Sequence, residues 1–314
     1  MKKVRLGKTG IEVTALGFGT LPMGSLQADM DVERGARVIR RALSEGINFI
    51  DTAHLYGTYK HISEALKGFD RKVIIASKSA AATYEDMKSG IDGARRALAR
   101  DQIDIFHLHA ARVLNPFEER RRALDCLLDC KSKGIINAVG ISTHVVSAVR
   151  KAAELEEIDV VHPLINKTGQ GLMGGTVEDM LQAIQLAHQN GKGIYVMKAL
   201  AGGNLLDDFD EALRFVMTNS SIDSVVVGMV AEEEVEMNVR FFSNQTIPAA
   251  LREGTKKAKK IIIMESCRGC GTCVDACPSQ AIEVINGKAV VDPTMCVLCG
   301  YCVAACPDFW IRVV

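Results

Sequence analysis

Two runs of cysteine carry the most specific chemistry in the sequence. Cys267, Cys270, Cys273 and Cys277-Pro278 form C-x2-C-x2-C-x3-C-P, and Cys296, Cys299, Cys302 and Cys306-Pro307 repeat it at an offset of 29. Three thiolates in one tight loop and a fourth a little further on is the spacing of a [4Fe-4S] site in which the fourth cysteine serves the other cluster. The expected ligand sets are therefore Cys267, Cys270, Cys273 and Cys306 for one cluster and Cys296, Cys299, Cys302 and Cys277 for the second. A zinc site would want separated cysteine pairs. Disulfides are disfavoured because eight of the ten cysteines crowd together and the charged start Met-Lys-Lys-Val-Arg-Leu-Gly-Lys has no apolar signal segment behind it. Cys126 and Cys130, four residues apart, read as buried thiols on a helix.

A second set of chemically useful side chains is spread over the first third of the chain. Asp51 ends the apolar run Ile47 to Ile50, with Tyr56 just beyond; Lys78 ends Ile-Ile-Ala-Ser-Lys; His109 ends Ile-Phe-His-Leu-His. A lysine closing an apolar strand must be paired or lose its proton, and Asp51 is the natural partner. Lys78 beside the Tyr56 hydroxyl would favour phenolate and bring that group towards the range of a general acid, while His109 could orient a carbonyl oxygen. Singly, each residue has an ordinary role as a strand end, an ion-paired anchor or a packed ring. Four of them at matching strand ends are much harder to dismiss.

The elements that must position them alternate regularly. After a hairpin at Val4 to Val13, strand-like runs at Thr14 to Phe18, Ile47 to Asp51, Val73 to Ser77, Ile103 to Leu108, Ile135 to Ile141, Val160 to Ile165, Gly193 to Met197 and Ile222 to Val227 are each followed by a helical pattern, the first capped by Asp31 and the fourth running from Pro116 to Lys133. Eight such pairs in about 240 residues predict an α/β fold, a (β/α)8 TIM barrel with an N-terminal β-hairpin. In a barrel, strand ends converge on one mouth, which is where the four residues are wanted. A doubly wound sheet is disfavoured because Gly17-Phe18-Gly19-Thr20-Leu21-Pro22 lacks the dinucleotide-binding glycine spacing and carries a proline. The barrel is expected over residues 1–250, a charged linker over 251–260, and a small α+β cysteine-rich domain over 261–314.

Composition sets further bounds. The chain has 314 residues, 48% hydrophobic and 24% charged, with 38 basic and 38 acidic side chains. Zero net charge gives no reason to expect nucleic acid as a partner, and no apolar run is long enough to span a bilayer. A cytoplasmic protein is expected. The tail carries three basic residues, Arg268, Lys288 and Arg312, against five acidic ones, Glu265, Asp275, Glu283, Asp292 and Asp308. With so few apolar residues it should need its clusters to fold.

From Met1 to about Phe242 the sequence resembles the aldo-keto reductases, on Arg5-Leu-Gly-Lys-Thr-Gly-Ile-Glu-Val, Leu16-Gly-Phe-Gly-Thr, Phe49-Ile-Asp-Thr-Ala-His-Leu-Tyr-Gly, Ser77-Lys78, His107-Leu-His109 and Val139-Gly-Ile-Ser. The tail resembles a bacterial two-cluster ferredoxin. The first resemblance implies a catalytic tetrad of Asp51, Tyr56, Lys78 and His109, with Tyr56 as proton donor and NAD(P)H as hydride source. It implies nucleotide contacts from Ser142 (carboxamide), Asn166, Met197, Lys198, Leu200, Gly202 and Gly203 (the loop around the pyrophosphate), Gly228 and Asn238 (adenine). His162 replaces a common glutamine or asparagine. Gly228 and Glu234 fall where NADP-preferring members carry basic residues, so NADH is favoured.

An oxidoreductase acting on a small-molecule carbonyl is therefore expected, its two [4Fe-4S] clusters serving as an electron relay or as an auxiliary domain. A nicotinamide moves electrons in pairs and a cluster moves one, so the alternative is an electron-transfer protein whose barrel holds a flavin or an unusual redox substrate, served by a redox partner protein. A third reading makes the barrel a non-catalytic scaffold, against which the intact tetrad argues. Arg112, just past His109, reads either as a clamp for an anionic substrate or as a solvated charge.

Overall fold

The computed structural model describes residues 1–255, 260–308 and 310–313. Eight parallel strands close into a barrel: Leu16–Gly19, Phe49–Asp51, Ile74–Ser79, Ile103–His109, Ile136–Thr143, Val160–Pro163, Gly193–Val196 and Ser224–Gly228. The last pairs with the first in register Val225 to Leu16, which completes the closure. The N-terminal hairpin, Lys3–Arg5 with Glu12–Thr14, seals the end opposite the mouth. Leu6, Ile11 and Val13 from the hairpin pack on the inward-facing Phe49, Ile74, Ile105 and Tyr195 of the strands. A second, larger core joins the outer strand faces to the surrounding helices.

Local chemistry explains where helices start. Asp31 caps Val32–Ser44 by accepting from the Arg34 amide at 2.8 Å, as its position suggests. Thr176 and Asp179 form a reciprocal capping box on Val177–Gln189. The helix expected from Pro116 to Lys133 is instead two, Pro116–Glu119 and Arg121–Ser132. The break is at Arg120, whose guanidinium reaches inward to the His109 carbonyl. Cys126 and Cys130 are buried on the second of these helices, as expected. The first half of the expected linker is a helix, Ala249–Thr255, tied down by a two-pronged Arg252–Asp210 ion pair at 2.6 and 3.0 Å. Residues 256–259 of that linker lie outside the described residues.

The tail is a small α+β module with two similar halves. Two short helices, Thr272–Ala276 and Tyr301–Ala305, are flanked by the antiparallel pairs Ile261–Ile263 with Ile311–Val313 and Ile282–Ile285 with Lys288–Val291. Its buried core is half cysteine: Cys273, Cys277, Cys302 and Cys306 beside Ala281, Ile282, Ala289 and Ile311. So thin an apolar core is why the module is expected to depend on iron and sulfide for stability.

The module rests on the barrel mouth through the loop that holds its second cysteine run. Asn204 and Gln170 donate to the Cys296 carbonyl at 2.6 and 2.9 Å, and Gln27 donates to the Leu298 carbonyl at 2.9 Å. Two glycines make the approach close enough. A Cβ at Gly202 would lie 1.9 Å from the Val297 carbonyl oxygen, and one at Gly300 would lie 2.2 Å from that of Leu26. Both also hold φ above +70°, where other residues are strained. Gly202→Ala should therefore lift this loop off the barrel. Hydrogen exchange in the cluster-loaded protein is expected to accelerate at least about tenfold over residues 296–302 and to stay unchanged in the strand Ile136–Thr143.

Candidate active site and cluster sites

The strand ends bring three of the four tetrad residues together because neighbouring strands run in step. Lys78 lies opposite His107, and His109 lies opposite Ser142. Tyr56 comes from the turn His54–Tyr56 after the second strand, closed by Gly57 in the left-handed conformation. Lys78 donates to Asp51 Oδ1 at 2.6 Å and to the Thr52 carbonyl at 2.9 Å, with the two charged side chains 1% and 6% exposed. Its ammonium also lies 5.1 Å from the centre of the Tyr56 ring, and that ring meets His109 edge-on at 6.3 Å.

Asp51 has a second partner that the sequence did not point to. Tyr195 donates to Asp51 Oδ2 at 2.9 Å and shares a 2.6 Å hydrogen bond with His107 Nε2. A phenol has one proton, so with that proton on Asp51 the His107 nitrogen must be the donor. Tyr195 also stacks on His162 at 4.0 Å, and His162 Nδ1 bonds the Tyr195 carbonyl at 2.8 Å. Burial holds His107, His109, His144 and His162 well below the ordinary histidine pKa, and Lys78 adds to the lowering at His107, His109 and His162. His109 is therefore a neutral imidazole that can orient an oxygen without bringing a charge.

The expected lowering of Tyr56 is not found. Burial pushes its phenol well above 10.0, with Tyr301 and Asp51 adding to the rise. Lys78 does not offset this because its ammonium is engaged by Asp51 and the Thr52 carbonyl. Burial in turn lowers the Lys78 ammonium from 10.5, against the pull of Asp51.

A cavity of about 160 Å³ occupies the mouth, bounded by Asp51 and Tyr56 at one end and by Asn238 and Thr255 at the other. Met197, Lys198, Leu200, Gly202, Gly203 and Gly228 line it, as expected of nucleotide contacts, and so do His144 and His162. Of the expected contacts, Asn238 Oδ1 and Ser142 Oγ are buried without a partner among the described residues; Asn238 lines the cavity, where its oxygen suits a bound nucleotide, whereas Ser142 is not among the lining residues. The Asn238 amide nitrogen is held by the Glu234 carbonyl at 2.8 Å, which fixes the free oxygen in place. Asn166 is not brought to the cavity. Its side chain folds its own loop, donating to the Gln170 carbonyl and accepting from the amides of Thr168 and Gln170. Arg112 is exposed and outside the cavity, which fits the solvated charge.

The cysteines fit the crossed arrangement. Cys277 lines one small cavity together with Cys296, Cys299 and Cys302, the second expected set. Cys273 lies in the electrostatic reach of Cys267 and Cys270, and Cys306 accepts from the Trp310 amide at 3.3 Å. Amides of Ala281 and Ala289 point at the sulfurs of Cys277 and Cys267, at 3.2 and 3.5 Å. Such donors stabilise thiolate ligands. The two sets differ in exposure at one ligand: Cys270 of the first is exposed, whereas Cys273 and Cys306 of that set and Cys277, Cys299 and Cys302 of the second are buried. The second set faces the barrel, and Lys198, half-buried, feels the charge of Cys299, Cys296 and Cys277.

Comparison with known proteins assigns both parts. A model of the Aldo/keto reductase family matches residues 15–211. The chain belongs to the aldo-keto reductase family. A 4Fe-4S dicluster domain matches residues 259–307. L-galactose dehydrogenase of Arabidopsis thaliana is 24% identical over 276 residues, covering 74% of this chain and 86% of its own. A probable aldo-keto reductase of Glycine max is 30% identical over 51% of this chain and 50% of its own. Among solved structures, a candidate aldo-keto reductase of Pseudomonas aeruginosa superposes with TM-score 0.67 at 25% identity, covering 77% of this chain and 95% of that one. This aldo-keto reductase is thus an oxidoreductase of a family that uses NAD(P)H on small carbonyl compounds, carrying an iron–sulfur module at its C-terminal end. Among the described residues no helix is long and apolar enough to cross a membrane.

Two measurements follow from the site. Lys78→Met leaves the Asp51 carboxylate buried without its counter-ion, so unfolding in urea should show a loss of about 3–5 kcal/mol. A variant as stable as the parent would mean the pair is not closed in solution. Anaerobically purified protein should contain about eight iron and eight sulfide per chain, and stoichiometric zinc without sulfide would contradict the ligand sets.

Proposed function

We propose that the barrel reduces a small carbonyl compound with hydride from a nicotinamide held in its mouth, and that the inner cysteine set exchanges electrons with that same mouth. NAD(P)H supplies the hydride, and the clusters supply or accept single electrons. The protein's part in the first half is positional and electrostatic. Tyr56 holds a proton at its hydroxyl for the oxygen that becomes an alcohol. Neutral His109 orients that oxygen, and the Lys78–Asp51 pair fixes the ring of Tyr56 and keeps positive charge beneath it. Gly228 and Glu234 put no positive charge at the adenine end, and Glu234 accepts from the Val230 amide at 2.7 Å, which favours NADH over NADPH.

The observation that carries the second half is the place of Tyr301. It stands between the ligands Cys299 and Cys302 in the sequence, and its hydroxyl lies 3.0 Å from His109 Nε2. One residue thus belongs both to the inner cluster loop and to the tetrad's surroundings. The first set, through the exposed Cys270, then suits exchange with a redox partner protein, and the second set, which faces the barrel, suits exchange with the barrel. Because a nicotinamide moves electron pairs, relay between the two needs a group in the mouth that can pass one electron at a time, either a flavin or a redox-active substrate.

Tyr56→Phe tests the first half: turnover with NADH should fall about 100-fold or more while NADH affinity stays within about twofold. Retained turnover would remove Tyr56 as the proton donor. Viologen reduced by dithionite tests the second. Supplied without nucleotide, it should drive reduction of the redox-active members of a carbonyl panel by the intact, cluster-loaded protein. No turnover there, together with full NADH-driven activity, would make the module auxiliary.

A further inference from the structure

In a site built to hold a carbonyl, the Tyr56 hydroxyl and the His109 ring converge on one oxygen position. That position is filled from within the chain. The Tyr301 hydroxyl is 3.0 Å from His109 Nε2, and the Tyr301 side chain packs beside Tyr56. Its ring meets the His109 ring edge-on at 6.1 Å and packs with Leu21, Leu26, Ala53 and Tyr56. The backbone beside it is fixed as firmly, with Gly300 against the Leu26 carbonyl and Gln27 on the Leu298 carbonyl. These contacts reach from residue 301 back to the first third of the chain, so the tail completes the wall of the active site.

We propose that Tyr301 is a specificity-determining residue of the carbonyl site, whose hydroxyl stands where the substrate's oxygen must bind and is displaced by it. The inference rests on the proposed carbonyl chemistry of the Tyr56 and His109 pair. Space points the same way. With the loop docked the mouth offers about 160 Å³, against roughly 300–1,000 Å³ for a typical small-molecule site. Substrate entry therefore requires the Tyr301 side chain to turn out of the site. A substrate succeeds in proportion to how well its oxygen and neighbouring atoms replace the hydrogen bond to His109 and a packed aromatic ring. This favours compact carbonyl compounds with an apolar or aromatic body.

Removing the hydroxyl while keeping the ring weakens the internal occupant. A hydrogen bond contributes about 1 kcal/mol net, so an oxygen ligand that competes with the Tyr301–His109 bond should bind about fivefold tighter once it is gone. The probe is benzamide, a carbonyl compound that hydride does not readily reduce, titrated by calorimetry into the anaerobic, cluster-loaded protein. Tyr301→Phe should bind it at least about fivefold tighter than the parent, and the double variant Tyr301→Phe with Tyr56→Phe should lose that gain. Equal or weaker binding by Tyr301→Phe, including no binding by either protein, overturns the proposal, as does a gain that survives loss of the Tyr56 hydroxyl. The readout is binding, so absence of reductase turnover in the parent would count against the carbonyl reading of the barrel and not against the place of Tyr301.

Discussion

Lys78 and Asp51 form an ion pair 2.6 Å apart in a place where neither side chain is appreciably exposed. Taking two charges out of water costs several kcal/mol for each, and the interior tolerates this only when both ions are well matched and their remaining hydrogen-bonding capacity is filled. Here the Thr52 carbonyl takes a second ammonium proton, and the second carboxylate oxygen accepts from Tyr195. That requirement draws in the third and fourth barrel strands and the seventh, since Lys78, His107 and Tyr195 must all face the interior. The pair thereby orders the floor on which Tyr56 and His109 stand. A site whose floor is this constrained changes little by itself, so its chemistry is governed by what reaches it from above.

What reaches it is the cysteine-rich module. Its inner ligand set is buried against the mouth, and the loop around it is bonded to three different barrel loops through Gln27, Gln170 and Asn204. An ordinary barrel reductase would leave that space to nucleotide and substrate. In this chain, Lys198 links the two worlds physically: it lines the nucleotide cavity and lies in the field of Cys299, Cys296 and Cys277. A negative pyrophosphate and a reduced, more negative cluster would act on the same ammonium. Linkage makes any such influence reciprocal, so nucleotide binding and cluster reduction should sense each other.

Much of this was legible in the sequence because it is written locally. Asp51, Lys78 and His109 each close an apolar run, and closing a run in a barrel means facing the mouth. The two cysteine runs are self-contained, and their crossed pairing follows from spacing alone; the cavity shared by Cys277, Cys296, Cys299 and Cys302 agrees with it. Residues whose role depends on distant partners were not legible. Tyr195 finds Asp51 across 144 positions, and Tyr301 finds His109 across 192. Asn166 shows the converse: a polar residue at a strand end looks like a ligand contact, but its amide makes four hydrogen bonds to Thr168 and Gln170 of its own loop. The same competition between local and long-range bonding broke the helix at Arg120, whose guanidinium serves the His109 carbonyl.

The central claim is that the inner cluster site and the barrel mouth form one environment. The direct measurement is low-temperature EPR of the dithionite-reduced, cluster-loaded protein with and without ADP-ribose, a nucleotide fragment that carries the adenine and pyrophosphate but cannot accept hydride. The account predicts that ADP-ribose alters the signal of one cluster and leaves the other unchanged, because only the loop carrying Cys296, Cys299 and Cys302 reaches the mouth cavity, through Val297 and Tyr301. Two unchanged signals, with calorimetry showing ADP-ribose bound, would contradict it.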